Sequence, residues 1–167
     1  TYASGWKCRD STGSIYECFE IGRVIMRQVL GLYIHIPFCK RKCNYCDFYS
    51  VAADPDRIRR YVDAVIADMQ QKAAMVDGSI FDSLFIGGGT PSVMGSELIR
   101  IIEAAHQCFS FSQDAEMTCE ANPESLTYDF LVDLKRVGIN RISIGAQSFC
   151  DEELHDLGRR HNRQDII

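Results

Sequence analysis

Apolar residues along the chain follow two alternating patterns. Short apolar runs typical of buried strands occur at residues 32–36, 83–86, 116–121 and 141–144. Apolar residues spaced three or four positions apart, which predict helices, follow at residues 58–69, 98–105, 130–137 and 151–157. Strand and helix thus alternate four times. This order predicts an α/β fold in which right-handed crossovers join the strands of a parallel sheet.

The boundaries of the predicted helices carry typical capping residues. Asp54 followed by Pro55 is a favourable helix start, with Asp as the N-cap and Pro at the first helical position. Gly78 and Gly138 follow the first and third helical patterns, where glycine commonly ends a helix.

Residues able to bind a ligand stand directly after each predicted strand. They are the segment 39–46 after the first strand, the segment 87–90 after the second, Glu120 and Asn122 after the third, and Gln147 after the fourth. In parallel α/β sheets and barrels, ligands bind at the carboxyl ends of the strands. We therefore expect these four segments to meet at one edge of the sheet.

Three of these residues are cysteines with the spacing C-x3-C-x2-C, namely Cys39, Cys43 and Cys46. Three thiolates on one loop can hold three corners of an iron–sulfur cluster and leave the fourth corner without a protein ligand. An open metal position of this kind is typical of catalytic sites. A zinc site is an alternative, although no second cysteine pair follows and His35 lies in a predicted strand. A disulfide is a further alternative.

The glycine run from Gly87 to Pro91 lets a ligand approach the backbone closely. It lacks the Lys-Ser/Thr pair of a phosphate-binding Walker loop and the spacing of a dinucleotide-binding loop. Glu120 can accept hydrogen bonds, Gln147 can donate and accept them, and Arg159 can bind a carboxylate with two hydrogen bonds. The alternatives are a tight structural turn for the glycines and exposed surface positions for the three polar side chains.

Composition and charge restrict the function further. The 167 residues carry a net charge of −5, which does not indicate nucleic-acid binding. The local basic stretch from Lys40 to Lys42 is either a solvated loop or a counter-charge to an anionic cluster. No apolar run is long enough to predict an integral membrane segment. Eight cysteines without a secretory signal predict a cytoplasmic protein.

The ends of the chain suggest a fragment. Residue 1 is Thr, and residues 1–25 show neither strand nor helix periodicity. We expect Met26 to be the natural start and residues 1–25 to be a non-native or disordered leader. Residues 26–167 would then be the N-terminal part of a truncated core domain, because the chain stops at Ile167 within the start of a helix.

Taken together, these motifs resemble the radical S-adenosylmethionine (SAM) superfamily, and within it the family of oxygen-independent coproporphyrinogen III oxidase. The matching segments are Gly31 to Cys39, Cys43, Cys46 to Phe48, Gly87 to Pro91, Glu120 to Pro123, Gly145 to Phe149 and Leu157 to Arg159. The resemblance implies a partial (β/α)6 TIM-like barrel with about four βα units present and the C-terminal part missing.

The resemblance also implies cofactors and their ligands. A [4Fe-4S] cluster would be bound by Cys39, Cys43 and Cys46, with the amine and carboxylate of SAM on the fourth iron. The residues that would bind SAM are Tyr33, Gly88, Gly89, Thr90, Glu120, Gln147 and Arg159. Tyr45 would pack near the cofactor. In this superfamily the reduced cluster delivers one electron that cleaves SAM.

Two branches of the family differ next to the third cluster ligand. The oxidase branch has a further cysteine where this chain has Phe48, whereas the pair Asp47-Phe48 is similar to the heme chaperone (HemW-like) branch. That branch implies binding of heme and its transfer to an acceptor protein, with an electron donor such as flavodoxin or ferredoxin. Its heme-ligand motif would lie beyond Ile167. The alternatives are an oxidase of porphyrin biosynthesis and a non-catalytic module that binds only the cluster.

Overall fold

The structure is a computed structural model that describes residues 6–9, 15–18 and 29–167. It divides the chain into two compact units, residues 1–30 and 31–167. In the first unit, strands β1 (Trp6–Arg9) and β2 (Ile15–Cys18) pair in antiparallel fashion. The rest of the expected leader, and the expected start at Met26, lie outside the described residues. Both expectations stay predictions.

The second unit alternates strands and helices as the sequence predicts. Its strands are β3 (Gly31–Ile36), β4 (Phe38–Cys39), β5 (Val51–Ala52), β6 (Ile80–Gly88), β7 (Ser110–Ala121) and β8 (Arg141–Ile144). Its helices are α1 (Pro55–Ala73), α2 (Ser96–Cys108), α3 (Tyr128–Arg136), α4 (Asp151–Asp156) and α5 (Arg163–Ile166). Short 3-10 turns occur at Ala74–Val76, Pro91–Met94 and Pro123–Ser125.

Strands β3, β6, β7 and β8 form one parallel sheet in that order. Each crossover therefore leads to the neighbouring strand, as in a barrel. The register places Ile34 beside Ile86, Ile86 beside Cys119, and Cys119 beside Ile142. The predicted α/β fold with a parallel sheet is confirmed.

The apolar core lies between this sheet and the helices α1 and α2. The fully buried aliphatic side chains include Ile36, Val62, Leu84, Ile86, Leu98, Ile101 and Ile102. They belong to β3, β6, α1 and α2, and full burial of each aliphatic side chain contributes about 1.5–3 kcal/mol. The core therefore fixes β3 and β6, the strands that precede the cysteine loop and the glycine run.

The predicted caps at Asp54 and Gly138 are present, whereas α1 ends at Ala73, and a 3-10 turn separates it from Gly78. The side chain of Asp54 accepts a hydrogen bond of 2.9 Å from the N–H of Arg57. Gly138, with φ +99°, ends the helical pattern of α3, and the N–H of Ile139 donates to the carbonyl of Leu134. Within the part of the chain that the structure describes, no helix has both the length and the apolar character needed to cross a bilayer.

Candidate functional site

A cavity of about 420 Å³ opens at the carboxyl ends of the parallel strands. Every site residue predicted from the sequence lines it, except Tyr33: these are Cys39, Cys43, Tyr45, Cys46, Gly88, Gly89, Thr90, Glu120, Gln147 and Arg159. The four predicted segments therefore meet at one edge of the sheet, as expected.

The loop that carries the three cysteines is anchored at its base. Strands β4 and β5 pair in parallel there, and the N–H of Ala53 donates to the carbonyl of Cys39 at 2.9 Å. Farther along the loop, Asn44 donates through its backbone N–H to the carbonyl of Leu157 at 3.2 Å and through its side chain to that of Asp156 at 3.0 Å. Backbone hydrogen bonds and the Asn44 side chain thus hold this loop in place over the cavity.

The chemistry of these thiols fits an iron–sulfur cluster. Cys39, Cys43 and Cys46 are free cysteines that line the same cavity. Among residues 29–167, no three His, Cys, Asp or Glu side chains form a group that could hold a single metal ion. The thiolates of a cluster need no such convergence, because each one binds a different iron.

Two side chains donate hydrogen bonds to the cysteine sulfurs. Thr90 donates through Oγ1 to the Sγ of Cys39 at 3.6 Å, and Arg159 donates through Nη1 to the Sγ of Cys43 at 3.4 Å. Hydrogen bonds to the sulfurs and nearby positive charge stabilise thiolate ligands and tune the potential of a cluster. Two of the three cysteine sulfurs thus have a side-chain hydrogen-bond donor beside them.

The glycine run passes very close to the cysteine loop. A Cβ on Gly89 would lie 2.6 Å from the carbonyl oxygen of Phe38 and 3.0 Å from the Sγ of Cys39. Gly88 has φ +120°, and its N–H donates to Oε2 of Glu120 at 3.0 Å. Glycine is required at both positions, by close approach at Gly89 and by backbone conformation at Gly88.

Arg159 joins the strand ends to the cysteine loop. Its Nη2 donates to Oδ1 of Asn122 and to the carbonyl of Gly145, each at 2.7 Å. Asn122 in turn donates through Nδ2 to Oγ1 of Thr90 at 3.2 Å. The Nε of Arg159 is buried and has no hydrogen-bond partner within the described part of the chain. A buried donor of this kind calls for an acceptor.

The two predicted tyrosines differ in placement. Tyr33 forms a hydrogen bond of 3.0 Å with Nδ1 of His35. Its ring stacks on that of Phe85, with 6.1 Å between the ring centroids. Partial burial, together with the charge of Glu120, raises the pKa of Tyr33. Tyr45 lines the cavity, and its burial raises its pKa while the guanidinium of Arg159 opposes that change.

Gln147 lies at the cavity in a strained conformation. Of the described residues other than glycine, it alone has a positive φ, at +68°. Such a conformation persists only where the surroundings enforce it, and it is frequent at functional sites. The composition of the sequence carries no signal for this strain.

Two residues with a place in this network were not predicted as site residues. Asn122 was noted only for its position after the third strand, yet it bridges Arg159 and Thr90. His161 was not singled out, although it is 3% exposed and bonded to Glu124 and to the backbone of Ala146. The signal for Asn122 was its position two residues after Glu120 at a strand end, whereas His161 has no signal before the fold is known.

Comparison with known proteins agrees with this geometry. The family model of the radical SAM superfamily matches residues 33–167. The heme chaperone HemW of Escherichia coli is 43% identical over 138 residues, which cover 81% of this chain and 36% of that protein. HemW of Bacillus subtilis is 36% identical over 137 residues, with the same coverage of 81% and 36%. The chain thus spans about a third of the length of these curated relatives.

A solved structure shows the same fold. Coproporphyrinogen III oxidase (HemN) from Escherichia coli, described as a radical SAM enzyme, superimposes with a TM-score of 0.77 and 30% sequence identity. The match covers 83% of this chain and 32% of that one. The parallel sheet therefore corresponds to part of a radical SAM TIM-like fold. Because the family model covers residues 33–167, the chain belongs to the radical SAM superfamily.

Proposed function

We propose that this chain forms the first part of a radical SAM core that binds a [4Fe-4S] cluster through Cys39, Cys43 and Cys46. The observation that carries the proposal is that the three thiols share one cavity with the glycine, Glu, Gln and Arg residues of the family motif. Three thiols leave one iron of such a cluster without a protein ligand. That iron would take the amine and carboxylate of SAM.

When bound, the cluster supplies the one-electron reduction of SAM, while the chain positions the substrate and excludes water. Glu120 is held through Oε2 by the N–H of Gly88, which leaves its second carboxylate oxygen for an amine or a ribose hydroxyl. The amide of Gln147 can donate and accept beside it. The buried Nε of Arg159 is a donor for an anionic group. Tyr33 stays a predicted SAM contact outside the cavity.

The whole protein is proposed to be a heme chaperone that binds heme or porphyrin and passes heme to an acceptor protein. The relatives that carry this name support the assignment. Phe48 also supports it, because it lies at the cavity, 69% exposed, where the oxidase branch has a cysteine. The proposal includes an electron donor such as flavodoxin or ferredoxin. The free thiols at Cys39, Cys43 and Cys46 suit a reducing compartment, the cytoplasm.

A second candidate is an oxygen-independent coproporphyrinogen III oxidase. The superposition on HemN favours it, since the same fold carries that activity in the solved protein. The two candidates differ in turnover. A chaperone returns bound heme to an acceptor unchanged, whereas the oxidase consumes coproporphyrinogen III and SAM together. Incubating the full-length protein anaerobically with SAM, a reductant and coproporphyrinogen III separates them, because only the oxidase forms protoporphyrinogen.

The cluster itself is tested by anaerobic reconstitution with iron and sulfide. We expect iron in the amount of one [4Fe-4S] cluster, and a reduced-state electron paramagnetic resonance signal that changes on adding SAM. Cys43→Ala should abolish iron retention, whereas Cys150→Ala, at an exposed cysteine outside the cavity, should not. Full iron retention by Cys43→Ala would refute the ligand assignment. An unchanged resonance signal with SAM would indicate a closed, non-catalytic cluster.

Heme binding is tested separately with the full-length protein. Titration with heme should give a saturable change in the Soret absorption band, and mixing with an apo-acceptor should move that band to the acceptor. Absence of saturable binding would leave the cluster assignment intact and refute the chaperone assignment.

A further inference from the structure

A histidine outside the predicted site is buried between two cavity loops. His161 is 3% exposed and makes one hydrogen bond with each ring nitrogen. Its Nδ1 lies 3.2 Å from Oε2 of Glu124, and its Nε2 lies 3.0 Å from the carbonyl oxygen of Ala146. Glu124 belongs to the 3-10 turn after β7, and Ala146 to the loop after β8. One side chain thus ties the ends of two adjacent strands together.

The partners of His161 determine what the ring must donate. A backbone carbonyl can only accept a hydrogen bond, and an ionised carboxylate also only accepts. The Ala146 carbonyl therefore accepts from the Nε2–H of His161, and Nδ1 forms its hydrogen bond with the carboxyl group of Glu124. The contact with Glu124 is largely buried, and it fixes the ring so that Nε2 points at Ala146.

The carbonyl of Ala146 is part of an unusual turn. It also accepts a hydrogen bond of 2.9 Å from the N–H of Ser148, two residues later. The residue between them is Gln147, with φ +68°. An i to i+2 hydrogen bond around a residue of positive φ is the strained form of the γ-turn, which is rare. Such strain needs outside support to persist.

Like Arg159 two residues earlier, His161 forms hydrogen bonds with both the loop after β7 and the loop after β8. Arg159 bridges Asn122 after β7 and Gly145 after β8, at 2.7 Å to each. His161 bridges Glu124 and Ala146, which lie two residues after Asn122 and one residue after Gly145 in the same two loops. Arg159 lines the cavity, whereas His161 does not. The second bridge thus acts on the cavity only through the loop that carries Gln147.

We infer that His161, held by Glu124, is a positioning residue that clamps the strained turn 146–148 and so presents the Gln147 amide to the cavity. In its effect on SAM binding this inference rests on the proposed function. The clamp itself is a property of the protein alone. Loss of the imidazole lets Gln147 relax to negative φ, which turns its side chain away from its present place at the cavity.

The clamp is tested by hydrogen exchange of single amides in the full chain. In His161→Ala, the Ser148 amide should exchange about tenfold faster, because a bond of roughly 1.4 kcal/mol that holds its acceptor is lost. Amides in β7 and α3 should keep their wild-type rates. His106→Ala is the matched control, since Nε2 of His106 also bonds a backbone carbonyl, that of Val137, at 3.0 Å. It should leave the Ser148 amide unchanged.

A second pair of variants separates a clamp from general stability. Glu124→Gln keeps an acceptor oxygen for Nδ1 and should retain the wild-type Ser148 exchange rate, whereas Glu124→Ala should accelerate it. Both remain informative if His161→Ala fails to fold. Wild-type exchange at Ser148 in folded His161→Ala, or in Glu124→Ala, overturns the inference.

The cofactor readout is SAM affinity of the reconstituted protein, measured by equilibrium dialysis. His161→Ala should weaken it about tenfold at unchanged iron content, and Glu124→Gln should restore it relative to Glu124→Ala. If the Ser148 amide exchanges faster but the SAM affinity is unchanged, the turn has no role in SAM binding. If the wild type binds no SAM, the proposed function fails, while the exchange experiment still decides the clamp.

Discussion

Replacing Gly89 by alanine should destabilise the contact between the glycine run and Cys39, the first proposed cluster ligand. The added Cβ would lie 2.6 Å from the carbonyl oxygen of Phe38, well inside normal contact distance, and 3.0 Å from the Sγ of Cys39. The Phe38 carbonyl also accepts the N–H of Thr90 at 2.7 Å. Because the obstacle is backbone and not a flexible side chain, the two segments must move apart.

The size of the effect follows from overpacking. Forcing one methyl group into a well-packed contact costs about 1–3 kcal/mol. Gly78→Ala is the matched control, because Gly78 has φ +75° and a Cβ there meets nothing within 4 Å. Its left-handed backbone alone costs an alanine roughly 1–2 kcal/mol. The two variants should therefore lose similar stability for different reasons.

Iron content distinguishes them. Urea unfolding gives the stability of each variant, and anaerobic reconstitution gives its iron content. Gly89→Ala should lose stability and retain less iron, since Cys39 is displaced, whereas Gly78→Ala should retain wild-type iron. Equal iron content and stability in Gly89→Ala and the wild type would show that the close approach does not exist.

Three further predictions concern the core, a buried thiol and the arginine bridge. Leu98→Ala, at a fully buried position of α2, should lower the free energy of unfolding by about 2–5 kcal/mol in urea, and a smaller loss would place Leu98 outside the core. Burial, followed by the charge of Glu120, raises the pKa of Cys119 from 9.0 to about 12. The unfolded thiol therefore ionises first, so stability should fall as pH rises from about 9 to about 12. Cys119→Ala should show a shallower fall, and identical pH profiles would contradict the shift. Arg159→Lys should weaken SAM binding about tenfold in equilibrium dialysis. The ammonium group of lysine cannot replace the guanidinium group, which donates to Asn122, Gly145 and Cys43 at the same time. Unchanged affinity would show that these bonds of Arg159 do not contribute to SAM binding.

The main elements of the fold could be predicted because buried strands and helices place apolar residues at regular spacings along the sequence. Leu84 and Ile86 are fully buried, and they mark β6 in the sequence. The strand begins earlier, at Ile80, where the register shifts between Phe81 and Ser83 and the apolar run is broken. Strands β4 and β5 were not predicted, because strands of two residues have no period to detect.

The candidate site could be predicted in part because its residues follow strand ends. The topology of a parallel sheet brings such positions together whatever their sequence separation. Roles that depend on exact contacts could not be derived in this way. Asn122 matters because it forms hydrogen bonds with both Arg159 and Thr90. Tyr33, near the start of β3, forms its hydrogen bond with His35 and does not line the cavity. The motif fixes residue types, and only the fold fixes their partners.

The anchoring of the cysteine loop has a consequence for how the folded protein withstands exposure to oxygen. In small zinc domains the metal and the fold form together, so loss of the metal unfolds the chain. Here backbone hydrogen bonds at Ala53 and Asn44 hold the loop in addition to the contacts that its sulfurs make. These bonds order the loop independently of any metal–sulfur bond. If the loop holds the proposed cluster, we therefore expect a protein that loses it to oxygen to stay folded and to take up iron and sulfide again.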